Sequence, residues 1–285
     1  MNSILVYIHT AEEAKHMIRY AMNMGKNMHM GVALLYTAEL QNYPMGIPGA
    51  ARPTVQITNE HVENLLKEIR NTFESEIERT SREIENPPSV TIHAKQGISH
   101  HIIDDFTKKS QISFVLTSAQ SDNQFLINDR NMDIIRKIEK PVWIVPEEVS
   151  FSPVSSIVYA TDYNEEDIST MKRLTDIARI NNAKISALHI DSESGFREKA
   201  ANSGFMNMVR EQVGYPDIEV TALLRENGNS LHDSIATYAR QVNADLIVTL
   251  KENKGFFERL FSRSETKKLI GSAEIPVLVF HEKHD

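Results

Sequence analysis

The feature that most constrains this chain is that it repeats itself. The short apolar run Ile4-Leu5-Val6-Tyr7-Ile8 returns as Ile157-Val158-Tyr159-Ala160. Gly97 is matched by Gly228, and Lys140-Pro141-Val142 by Ile275-Pro276-Val277. Self-similarity of this kind means one structural unit used twice. The polar stretch Pro146-Glu147-Glu148-Val149-Ser150-Phe151-Ser152-Pro153 bridges the copies, so the expected domains are 1–147 and 154–285. A chain of 285 residues suits two domains of ordinary size.

Within each copy, apolar runs of strand length alternate with helical spacing. After Ile4–Ile8, the residues Ala14, Met17, Ile18 and Ala21 recur every three or four positions. Val32–Tyr36 follows as a strand, and Pro44, Gly46, Pro48, Gly49 and Pro53 then mark a long loop suited to act as a flap. Val62, Leu65, Leu66, Ile69, Phe73 and Ile77 form one stripe on a helix closed by Asn86-Pro87-Pro88. Val90–Ile92, a helix over 98–109, Phe114–Thr117, a helix at 134–138 and Val142–Val145 complete the first copy. The second repeats the order, through a helix near 206–213 to the closing strand Val277–Phe280. Such alternation implies parallel strands joined by right-handed crossovers. The fold class is therefore α/β, two tandem doubly wound domains, each a parallel sheet flanked by helices.

Composition narrows the function. With 41% hydrophobic and 25% charged residues the chain is globular. It has no Cys, which removes disulfides, thiolate metal sites and a thiol nucleophile, and a reducing cytoplasm is the expected setting. A net charge of -8 repels nucleic-acid phosphates and anionic lipid, and no segment approaches the roughly 18 apolar residues of a membrane span. Nucleic acid and membrane are not expected partners.

Ligands of wound sheets settle outside the carboxyl ends of the strands, where strand order reverses. In the second copy those ends carry Asp162, His189, Asn229 with Ser230, and Lys251. Asp162 suits a ribose or adenine amine, while Gly228, Asn229 and Ser230 read as turn and cap residues as readily as ligand contacts. The charged loop from Lys251 to Lys268 leads into a helix, with Ser264 as its N-cap. Arg263, Ser264 and backbone N–H groups there suit a phosphate, and a solvated basic face suits the same residues. Phe256, Phe257, Leu260 and Phe261 are expected to pack the loop onto its domain. No glycine-rich dinucleotide fingerprint, P-loop, His-Glu-x-x-His or Gly-x-Ser-x-Gly occurs. The pairs His100-His101 and His281-x-x-His284 lack further ligands at metal spacing, so no metal site is expected.

The strand Ile157–Asp162, the strand ending Ala187-Leu188-His189-Ile190, the stretch from Asn227 to Val248 and Ile275–Val279 resemble a universal stress protein domain. The first copy resembles the same family through Ile4–Ile8, Gly97, Phe114–Thr117 and 140–145. The resemblance implies a five-stranded parallel sheet per domain, two domains paired as an internal pseudo-dimer through their last strands, and a cytoplasmic role in stress survival. A further homodimer is compatible with it.

Members that bind ATP carry a loop of Gly, two residues, Gly, nine residues, then Gly and Ser or Thr. Here Leu250, Asn253 and Arg263 stand at the three glycine positions and only Ser264 is kept. A residue other than Gly forced into the left-handed region costs about 1–2 kcal/mol and fills space near a phosphate. In the first copy the loop from Ser118 to Asp129 is shorter, Asn128 and Asp129 take the Gly-Ser place, and His9 replaces the strand-end Asp. The expectation is a binding or signalling protein, not an enzyme, with a small anionic ligand such as ATP or AMP at Asp162, His189, Asn229, Lys251, Asn253, Arg263 and Ser264. No cofactor is certain from the sequence. The alternatives are a weak nucleotide hydrolase using Asp162 and an interaction module whose pockets are filled by its own side chains.

Overall fold

The computed structural model describes residues 2–38, 59–119, 129–147, 149–191, 195–226, 229–251 and 275–281. The Pro/Gly loop at 44–53, the Asn227-Gly228 turn and the charged segment from Glu252 to Lys268 lie outside the described residues. The first half runs β1 (Ser3–Tyr7), α1 (Ala14–Met28), β2 (Gly31–Ala38), α2 (Asn59–Glu83), β3 (Val90–Gln96), α3 (Ser99–Lys109), β4 (Ile112–Ala119), α4 (Asp129–Lys137) and β5 (Val142–Pro146). The second runs β6 (Ser156–Ala160), α5 (Glu165–Asn181), β7 (Lys184–Asp191), α6 (Phe196–Gln212), β8 (Ile218–Leu224), α7 (Leu231–Gln241), β9 (Leu246–Leu250) and β10 (Val277–Phe280).

Central strands covered on both faces need apolar residues along most of their length, which is why β1, β4, β5, β6 and β9 are rich in Val, Ile and Leu and turn polar only towards their ends. On one face α1, α2, α5 and α6 cover a layer that includes Ile4, Val6, Phe73, Trp143, Tyr159 and Leu278. On the other, α3, α4 and α7 cover Leu5, Val115, Ile135, Val158, Ile235 and Val279.

The strands form one ten-stranded sheet in the order β3-β2-β1-β4-β5-β10-β9-β6-β7-β8. Each half is parallel within itself, and the halves join where β5 and β10 pair antiparallel, with Trp143 opposite Leu278. The expected pseudo-dimer through the last strands is thus present as a continuous sheet. Across the same boundary Asn27 and Asn181 exchange side-chain hydrogen bonds of 2.9 and 3.1 Å. The connecting segment is held on α1, where the His16 ring meets the Val149 carbonyl at 2.8 Å and Phe151 packs edge-on against Tyr20.

Two helices differ from their expected form. The stripe on α2 buries Val62, Ile69 and Phe73 but leaves Leu65 exposed, because the helix lies on the flank of the sheet and packs through a narrow strip against α1. α6 begins at Phe196, ten residues before the apolar signal near Met206, since only its second half packs down, through Phe205 and Val209. Among the described residues no helix is long and apolar enough to cross a membrane.

Candidate functional site

In each half the chain leaves the central strand in one direction to build two strands and then crosses back to the other side. Strand order therefore reverses between β1 and β4, and again between β6 and β9. At these two points the loops diverge and open a crevice at the carboxyl ends. The registers make the crevices comparable position by position: Tyr7 stands opposite Thr117, and Ala160 opposite Thr249.

The first-half crevice is closed by its own side chains. His9, two residues beyond β1, places its Nε2 2.9 Å from the Thr117 hydroxyl. Thr117 in turn donates to Asn131 Oδ1 at 3.4 Å, and the Asn131 amide donates to the Ser118 carbonyl at 2.9 Å. All three of Thr117, Ser118 and Asn131 are fully buried. Glu13 accepts from the His9 and Thr10 N–H groups and from the Ser118 hydroxyl. Burial nevertheless raises its carboxyl above the ordinary value. Tyr7, Thr37 and Ser99 add a ring of three hydroxyls linked at 2.7–3.0 Å.

The second-half crevice is built differently from the same frame. Asp162 takes the place of His9, and the Asp162 carboxylate lies 4.0 Å from His189 Nδ1. That ring nitrogen donates to the Thr161 carbonyl at 2.8 Å, while Nε2 faces the Asp191 carboxylate at 3.2 Å. Both ring nitrogens therefore face oxygens, which fixes the orientation of the ring. Tyr163 stacks on His189 with centroids 4.1 Å apart and leans on Phe205. It does so from a left-handed backbone (φ 60°), held by its N–H on the Thr161 hydroxyl at 2.9 Å. Burial, with the nearby Asp191 charge, pushes the Tyr163 phenol up to about 12.

Below this cluster Asp167 is buried at the start of α5. It accepts from the Tyr159 hydroxyl at 2.6 Å, the Thr161 hydroxyl at 2.5 Å and the Asn164 N–H at 3.1 Å. Desolvation raises its carboxyl, opposed by those three donors. The same arrangement caps α5 through Asn164 and fixes the turn that presents Asp162.

The predicted site residues fall into three groups. Asp162 and His189 are brought together. Asn229 lies ahead of α7, where Ser230 is the N-cap in a reciprocal box with Asp233, and the Asn229 amide donates to Glu226 at 3.3 Å. Lys251 follows β9, and its ammonium reaches across to the Arg136 carbonyl of the first half at 3.2 Å. Asn253, Arg263 and Ser264 lie outside the described residues.

Sequence reasoning missed Tyr163, Asp167, Asp191 and Thr249. Asp191 had a legible signal, since it follows His189 by two in the same strand and so shares its face. Thr249 had none: its hydroxyl is fully buried with no hydrogen-bond partner among the described residues, whereas Thr117 in the same register is held by His9.

A shallow pocket of about 420 Å³ lies elsewhere, at the amino ends of β7 and β8. Its charged lining is spent on structure, Lys184 pairing with Glu219 at 2.9 Å. Among the described residues no group of His, Asp and Glu is placed to hold a metal.

The model of the universal stress protein family matches residues 154–281. A universal stress protein from Archaeoglobus fulgidus DSM 4304 is 13% identical, with 99% of this chain and 97% of that one covered at a TM-score of 0.63. A candidate universal stress protein from Pseudomonas aeruginosa UCBPP-PA14 is 15% identical, with coverage of 98% and 93% and a TM-score of 0.54. The cytoplasmic domain of a prokaryotic cation chloride cotransporter is 11% identical, with coverage of 97% and 94% and a TM-score of 0.52. No curated protein matches the chain. At such identities the likeness speaks for the fold, and the fold serves more than one purpose.

Proposed function

We propose, from the match of residues 154–281 to the universal stress protein family model, that the chain is a ligand-binding and signalling protein of two unequal units. The units are 1–147 and 154–285, and only the second takes a ligand. The observation that carries this reading is the contrast between Thr117 and Thr249. A buried hydroxyl is almost always paired, and one left without a partner is a cost that a bound group can remove. In the first half His9 occupies that place, so the crevice is plugged. In the second half no side chain among the described residues does, while Asp162, His189 and Lys251 line the same rim.

The ligand of this reading is a small anion of the nucleotide type, ATP or AMP. It is held by Asp162, His189, Asn229 and Lys251 together with Asn253, Arg263 and Ser264 of the segment that follows. With no glycine at Leu250, Asn253 or Arg263, backbone approach to a triphosphate is restricted, which favours a short phosphate chain over a long one. The protein then acts by binding, in a soluble cytoplasmic setting, and not by turnover.

Calorimetric titration of the full chain with ATP, AMP and inorganic phosphate tests it, with Asp162→Ala and Arg263→Ala alongside. Binding of AMP that weakens about tenfold or more in both variants supports the placement. Equal heats in wild type and variants would refute it. Phosphate release from ATP and magnesium that vanishes in Asp162→Ala would assign the chain to nucleotide hydrolysis instead.

A further inference from the structure

α4 joins the two crevices. Its first turn belongs to the first-half rim, where Asn131 holds the Ser118 carbonyl and receives the Thr117 hydroxyl. Nine residues, about 13 Å, carry it to the second half. The carbonyls of a last helical turn have no donors within the helix. Here the second half supplies them. His281, the residue after β10, donates its Nε2–H to the Ile135 carbonyl at 2.6 Å, and Lys251 donates to the Arg136 carbonyl at 3.2 Å.

These two anchors are not alike. His281 is 2% exposed and fixed within the packed seam. Lys251 is only half-buried, and it stands on the opposite rim: Lys251 and Asp162 each lie two residues beyond the paired Thr249 and Ala160 at the ends of their strands. Its backbone is tethered by an N–H bond to the Phe280 carbonyl at 3.0 Å, but its side chain has four rotatable carbons with which to change partner. A phosphate oxygen is a stronger partner for an ammonium than a neutral carbonyl.

We propose that Lys251 is a ligand-released latch: a phosphate-bearing ligand at the second-half rim draws its ammonium from the Arg136 carbonyl, uncapping α4 and loosening the first-half rim to which that helix is tied. The plugged half thereby reports on the occupancy of the open one. The proposal rests on the second-half crevice being the ligand site. It also implies reciprocity, because a change that frees Lys251 from α4 must strengthen ligand binding.

The test is amide hydrogen exchange of the full chain at Arg136–Ile138, where Ile138 N–H closes the last turn on Ile134. Wild type, Lys251→Met and Arg136→Gly are compared alone and with AMP, inorganic phosphate or adenosine, and binding is measured in parallel by calorimetry. Lys251→Met alone should speed exchange at these amides by roughly threefold to tenfold. AMP should do the same to wild type and nothing further to Lys251→Met. Arg136→Gly, which frays the turn, should bind AMP more tightly than wild type.

Phosphate acting as well as AMP would make the phosphoryl group the whole signal; AMP acting alone would make it a nucleotide. Adenosine acting equally would overturn the exchange of partners. Unchanged exchange in ligand-free Lys251→Met would overturn the latch whatever binds. AMP that binds without moving α4 would overturn the latch and leave the ligand site standing. If none of the three binds, the ligand site and the latch fall together.

Discussion

Thr117 and Thr249 stand at the same point of two copies of one sheet, each opposite the last residue of the central strand, and among the described residues Thr117 finds a hydrogen-bond partner for its hydroxyl while Thr249 does not. The pair predicts opposite responses to one substitution. Thr117→Val should cost about 1–2 kcal/mol, because it removes the hydroxyl that links His9 Nε2 to Asn131 Oδ1 in a buried network. Thr249→Val should be neutral or stabilising by up to about 1 kcal/mol, since it removes an unpaired hydroxyl without changing shape. Urea unfolding of the two variants checks the sign; a larger loss from Thr249→Val would show that its hydroxyl is paired after all.

Asp167→Ala removes the shared acceptor of the Tyr159 and Thr161 hydroxyls and the Asn164 N–H. Three donors left at a buried turn should cost about 2–4 kcal/mol. Asp162 should also lose its placement, so ligand affinity should fall with stability. The ratio of the two effects, read by calorimetry on the folded fraction, separates turn geometry from direct contact.

The seam between halves carries its own reporter, because Trp143 is the sole Trp of the chain and lies buried opposite Leu278. Leu278→Ala should cost about 2–4 kcal/mol and lower the urea midpoint followed by Trp143 fluorescence. A midpoint unchanged by this substitution would mean that the halves are not held by the β5–β10 pairing.

Acid should weaken the protein through His281. Burial lowers its pKa to about 4, assisted by the nearby Lys251 and Arg173 charges. In the unfolded chain it titrates near its ordinary value of about 6.5. Between these values the unfolded chain takes up a proton that the folded one refuses. Stability is therefore full above about pH 6.5, is lost as pH falls to about 4, and levels off below. The whole loss is on the order of 3 kcal/mol. Asp167 and Glu13, raised by burial, work the other way: the stability they contribute is full below the ordinary carboxylate range and is lost as pH rises through their raised values. His281→Asn should flatten the slope between pH 6.5 and 4 in thermal melts, and an unaltered slope would assign the acid sensitivity elsewhere.

The fold was legible where local chemistry and global position agree. Ile4–Ile8 and Ile157–Ala160 had to be buried strands, since no other element uses a short unbroken branched run bounded by helical spacing. α6 was half legible for the converse reason: it starts at the exposed Phe196, and the buried residues it contributes, Phe205 and Val209, lie in its second half. Asp162 and His189 were legible as strand-end residues and do meet. Asp167 was not, because an acidic residue in a first helical turn reads as ordinary capping, and its burial under Tyr159 and Thr161 is a matter of packing.

By itself, then, the sequence determined that one α/β unit occurs twice, because apolar periodicity and residue type are local properties. Only the tertiary structure decided that β5 and β10 fuse the copies into one sheet, that His9 plugs one crevice while Thr249 has no partner among the described residues in the other, and that Lys251 turns to the opposite half. The strand pairing, the His9–Thr117 bond and the Lys251–Arg136 bond each join residues more than a hundred positions apart. Which partner such a side chain finds depends on what the fold brings beside it.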